Sequence, residues 1–174
     1  MLRRIAFVAT VGLIASVSSL PTRADEAQVA RGKYLVGIAG CNDCHTPGYF
    51  FGKPDVARFL GGSEVGFEIP GLGFFAGRNI TPDKETGIGN WSQDEIITAL
   101  QTGMRPDGRQ LAPIMPWHAF ASLTSEDVTA IAVFLKSLPP VSNAVPEPVS
   151  PGGAVTTFML RILPPGQTAA PAPQ

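Results

Sequence analysis

A chain of 174 residues, 44% hydrophobic and 16% charged with a formal charge of −1, is long enough for one core and lacks the basic excess of a nucleic-acid binder. Its 19 glycines and 17 prolines, about a fifth of all positions, exclude an architecture made mainly of long uninterrupted helices or strands. Two cysteines exclude a disulfide framework and, only three positions apart, point to chemistry instead.

At the N-terminus, Arg3 and Arg4 precede an apolar run from Ile5 to Leu20, followed by Pro21-Thr22-Arg23-Ala24. That is the pattern of a secretory leader over 1–24, cut after Ala24. An uncleaved anchor is the alternative, but this run contains Thr10, Ser16, Ser18 and Ser19 and is shorter than the roughly 20 apolar residues of a span. Cleavage removes Arg3, Arg4 and Arg23, taking the formal charge to −4 and leaving no expected membrane span. It also places the chain in the periplasm, where vicinal thiols oxidise unless another bond consumes them.

Residues 25–141 read as one domain. Asp25 to Gly40 is expected to be helical, with Val29, Tyr34, Leu35 and Ile38 as its apolar stripe. A turn carrying Cys41 and Cys44 follows. Between Gly61 and Gly89 lie eight of the glycines, so this stretch reads as loops with one short hairpin around Val65 to Phe75. A second helix starts at Ser92, with Glu95 in capping-box spacing, and ends at Gly103. After an irregular stretch containing Pro106, Pro113 and Pro116, Thr124 starts a third helix whose Val128, Ile131, Ala132 and Leu135 form one stripe before Pro139-Pro140. Residues 142–174 read as a Pro-rich tail, extended or disordered, whose one apolar patch, Val155 to Leu163, packs on the domain or on a partner.

Cys41-Asn42-Asp43-Cys44-His45 matches the C-x-x-C-H pattern of covalent haem attachment. Two thiols one helical turn apart can reach the two vinyl groups of a porphyrin, and the adjacent imidazole can bind the iron from the same side. Attachment also consumes both thiols. A zinc site would need four ligands, and the only His and Cys residues present are Cys41, Cys44, His45 and His118, with neighbouring Cys44 and His45 strained as co-ligands. A thioredoxin-like dithiol would need a βαβ setting, which the flanking segments do not offer.

For the sixth iron position the candidates are Met104, Met115, Met159 and His118. Met115 is favoured because Pro113 and Pro116 stiffen the chain on either side, which keeps a weak thioether in place. Met104 enters a turn, Met159 belongs to the tail patch, and His118 reads as an exposed imidazole beside Trp117. Leu35, Ile38, Phe74, Ile80, Trp91, Leu100, Leu111 and Trp117 are expected to line the porphyrin pocket.

Together these residues resemble the class I c-type cytochromes, and more closely the cytochrome subunits of bacterial periplasmic dehydrogenases for alcohols, gluconate and related substrates. The resemblance runs from Arg31-Gly32-Lys33-Tyr34-Leu35 through Asn79-Ile80-Thr81-Pro82-Asp83, Thr86 to Ser92 and Met115-Pro116-Trp117 to Phe134-Leu135-Lys136-Ser137-Leu138-Pro139-Pro140-Val141. It implies an all-α, class I cytochrome c fold with helices wrapped around one haem c, Gly32 allowing the first helix to cross the last against Phe134. It further implies that Asn79, Thr81 and Trp91 lie near the haem propionates, with Arg78 able to pair with one. Such subunits usually carry three haem motifs, whereas this chain has one.

The function expected is single-electron transfer without catalysis, from a periplasmic dehydrogenase to a downstream acceptor. The alternatives are a fixed haem subunit of a dehydrogenase complex, or a haem enzyme or gas sensor with a displaceable ligand, for which only His118 could serve as distal base.

Overall fold

The computed structural model of the chain describes residues 23–167. All but the last two residues of the leader read over 1–24 therefore lie outside the described residues.

Among the described residues there are five α-helices: α1 (Arg23–Ile38), α2 (Cys41–His45), α3 (Gln93–Thr102), α4 (Trp117–Phe120) and α5 (Ser125–Ser137). Helix α1 lies across α5. Their crossing is close because Gly32 has no side chain; a methyl group there would overlap the Ala130 carbonyl and the Cβ of Phe134. The buried stripe of α1 is accordingly Gly32, Leu35 and Val36, while Tyr34 and Ile38 are exposed. The expected stripe was turned by part of a helical turn, since Gly32, with no apolar side chain of its own, gives the hydrophobic pattern no sign of the contact it makes.

The Ser92 hydroxyl accepts from Glu95 N and the Glu95 carboxylate accepts from Ser92 N at 2.7 Å, so α3 begins with the expected capping box. Ser92→Ala should cost about 1 kcal/mol in a denaturant titration. A loss near zero would show that Glu95 alone holds that end. Thr124 caps α5 through Asp127 N, and the expected stripe of Val128, Ile131, Ala132 and Leu135 is buried, joined by Ala130 and Phe134. These pack with Leu35, Val36, Leu60, Ile88, Ile96 and Leu100 in one core.

The fold is not all-α. Strands β1 (Val65–Ile69) and β2 (Gly73–Ala76) form the expected hairpin, and a third strand, β3 (Phe158–Arg161), pairs parallel to β1 in a sheet of order β2-β1-β3. Phe158-Met159-Leu160-Arg161 is too short to declare itself in the sequence, and its partner lies 93 positions away, Val65 opposite Phe158. The Pro-rich stretch ahead of it does run extended, hydrogen-bonded to the domain. Val141 N donates to Thr81 Oγ1 at 3.1 Å, Asn143 N to Thr86 Oγ1 at 3.0 Å, and Val149 exchanges backbone bonds with Phe74 at 2.8 and 3.0 Å.

Candidate functional site

A cavity of about 550 Å³ opens between α2, the hairpin, α3 and the loop before α4. Cys41 and Cys44 reach it from one face of the single turn α2, as positions i and i+3 must. Burial pushes the Cys41 thiol up to about 11, with Cys44 and Asp43 adding to the rise, and burial also raises Cys44. A raised thiol pKa is the opposite of the lowered one of a dithiol redox centre.

His45 follows at the end of the same turn. Its Nδ1 lies 2.6 Å from the Arg78 carbonyl. A carbonyl only accepts, so Nδ1 carries the proton and Nε2 keeps its lone pair for a ligand. Burial holds this imidazole below its ordinary pKa, partly offset by that bond, which favours the neutral form. The residue before Arg78 is equally constrained: a methyl at Gly77 would fall on the Cys44 carbonyl oxygen.

Met115 lines the same cavity, half-buried, in the loop framed by Pro113 and Pro116. The thioethers of Met104 and Met159 are elsewhere. Met104 is exposed and bridges to Gln110, and Met159 sits on β3. His118 is exposed and stacks on Trp117, ring centroids 3.4 Å apart, outside the cavity lining. Among the described residues no group of three or more His, Cys, Asp and Glu side chains is placed to hold a metal ion.

Of the expected apolar wall, Ile80, Trp91, Leu100 and Leu111 line the cavity; Leu35, Ile38, Phe74 and Trp117 do not. Leu35 belongs to the α1–α5 core, Ile38 points to solvent, and Trp117 packs over Gly103. Phe74 is buried on the opposite side of β2, and its neighbour Phe75, paired with Phe67, faces the cavity. Strand residues alternate sides, so an error of one position exchanges the faces.

Asn79 and Thr81 are both buried and committed to each other. Asn79 Oδ1 accepts from Thr81 N and Oγ1, and its Nδ2 donates to Thr86 Oγ1 at 2.9 Å and Val141 O at 2.7 Å. Asn79 touches the cavity with its donors already used; Thr81 does not line it. Trp91 does, its carbonyl fixed by Lys136 Nζ at 2.7 Å. Arg78 also lines the cavity, its guanidinium donating to Pro146 O and Glu147.

Sequence reasoning missed Arg105. It lines the cavity, lies over the Trp91 ring at 5.8 Å from the centroid, and its Nε is buried without a hydrogen-bond partner. Asp107 holds both Arg105, at 3.2 Å, and Arg109, at 2.8 Å, so two cations border one side of the cavity. The signal was Arg105-Pro106-Asp107-Gly108-Arg109, a turn with one carboxylate between two guanidiniums. Room, mostly apolar walls, two thiols, an imidazole, a thioether and an unpaired cationic donor suit a large flat apolar group with an anionic edge.

No protein-family model matches the chain. It is similar to the cytochrome c subunit of alcohol dehydrogenase (quinone) from Gluconobacter oxydans, 38% identical over 127 residues, which are 71% of this chain and 25% of that one. It is similar to the cytochrome c subunit of gluconate 2-dehydrogenase from Pantoea cypripedii, 34% identical over 146 residues, 80% of this chain and 31% of that one. A diheme cytochrome c-type protein of Cereibacter sphaeroides is 30% identical over 119 residues, 67% and 38% of the two chains. The chain thus spans a quarter to a third of the length of the dehydrogenase subunits it matches.

Proposed function

The chain carries a c-type cytochrome domain related to those of dehydrogenase cytochrome c subunits, and on that premise we propose that it is an exported electron carrier with one haem c, taking single electrons from a periplasmic dehydrogenase. The observation that carries this reading is that Cys41, Cys44, His45 and Met115, from two distant parts of the sequence, line one cavity.

In this reading Cys41 and Cys44 would fasten the haem by thioether bonds, and His45 Nε2 and Met115 Sδ would ligate its iron. When bound, the haem supplies reversible one-electron chemistry at iron. The protein supplies the rest. Ile80, Trp91, Leu100, Leu111, Phe67 and Phe75 keep water from the porphyrin, and Arg105 and Arg109, in place of Asn79 and Thr81, receive the propionates. With both residues on the iron, no site would be left there for oxygen or substrate. That argues for a carrier over a haem enzyme, as does His118 outside the cavity. Among the described residues no helix is long and apolar enough to cross a membrane.

Expression with haem-attachment machinery, followed by the pyridine adduct spectrum, tests the reading. One haem c per chain is the expected result, with sluggish carbon monoxide binding; haem extractable by acid acetone, or rapid binding, would overturn it. Arg105→Gln should lower the midpoint potential, because a cation beside the haem disfavours the more positive ferric form and its removal relieves that penalty. An unchanged or higher potential would remove Arg105 from this role.

A further inference from the structure

We propose that the extended strap 141–149 is part of the proximal wall and that Arg78, held by this strap, is a positioning residue that sets the hydrogen bond on His45. The inference rests on the haem reading, in which His45 is the proximal ligand.

Two stretches grip His45. Gly62 N donates to its carbonyl at 2.7 Å, and the Arg78 carbonyl accepts from its ring. The strap lies on both stretches. Asn143 Nδ2 donates to Gly61 O at 2.8 Å, and Val145 fills the space where Gly62 would carry a side chain. Arg78 is held at its other end: Nη1 donates to Pro146 O at 3.1 Å and Nη2 to Glu147 Oε1 at 2.7 Å. One residue further on, Pro148 lines the cavity itself. Arg78 is therefore a two-ended link, its carbonyl on the ligand and its guanidinium on the strap.

The link acts on the iron through the ligand. A firm Nδ1–H···O=C bond makes the imidazole a stronger donor and favours ferric iron; a loosened bond does the reverse. The Arg78–Glu147 pair is the adjustable part, since Glu147 is largely exposed and within reach of salt, protons or a docking partner.

The test uses the full chain with covalent haem, verified by its absorbance. Solvent exchange of the His45 Nδ1 proton is followed by NMR in the ferrous state, and the midpoint potential is measured alongside. Arg78→Lys keeps the charge but not the two-pronged hold; Glu147→Ala removes an exposed carboxylate and leaves the fold alone. Both should speed exchange by about three- to fivefold, the effect of losing one partly exposed ion pair. Arg78→Lys, its charge unchanged, should also raise the potential. Arg161→Lys, whose partner Glu68 lies on β1, is the control and should change neither. Exchange in both strap variants no faster than in the control would overturn the proposal while the haem reading stood; a chain without covalent haem would overturn the haem reading, and this one with it.

Discussion

Met115→Ala is expected to abolish the six-coordinate low-spin state: the weak far-red absorption of ferric methionine-ligated haem disappears and carbon monoxide binds the ferrous protein rapidly. Alanine has no donor atom, and the loop offers no substitute, since His118 is stacked on Trp117 and Met104 faces solvent. The midpoint potential should fall by about 0.1 V or more, a fraction of the roughly 0.8 V over which axial ligands move it. A neutral thioether stabilises ferrous iron, and water or hydroxide in its place does not. The fold should survive: Met115 is one of the partly buried residues at the margin of the core. An unaltered far-red band would assign the sixth position to another residue.

Gly77→Ala should have the largest effect on stability, about 3 kcal/mol or more, with reduced haem attachment. The added methyl would lie against the Cys44 carbonyl, which is backbone and cannot rotate aside. Relief requires separating the chain before Arg78 from the turn carrying both cysteines. That separation also strains Gly77 O, which accepts from Ser63 N at 2.9 Å, and Arg78 O, which holds His45. Thermal unfolding of the holo-protein measures the loss. A variant within about 1 kcal/mol of the parent would mean that α2 shifts freely, which is incompatible with a rigid proximal side.

Much of this was legible because it is local. Ser92 and Thr124 cap their helices through side chains three residues from their partners, the hairpin has strand residues on both sides of Gly71, and the cysteine motif is five consecutive positions. The proline frame around Met115 was sufficient to select one methionine that does line the cavity. What escaped depends on contacts distant in sequence. Which of Phe74 and Phe75 faces inward depends on where the turn starts, to a single residue. Arg105 reads as an ordinary turn arginine until Trp91, 14 positions earlier, closes over it. Asn79 does border the cavity, but that its donors are taken by Val141 and Thr86 is set by the fold and not by its own motif. Strand β3 escaped for the same reason, its partner being on the far side of three helices.

That parallel pairing has a consequence for the order in which the molecule assembles. Joining Val65 to Phe158 closes a loop of 93 positions, a contact of high order that forms late and slowly compared with the helices inside it. A chain stopped short of residue 158 keeps α1, α3 and α5 but exposes that unpaired edge, a template for other chains. Truncation before residue 158 is therefore expected to raise aggregation while the helical core stays folded, which light scattering and circular dichroism of the shortened chain would check.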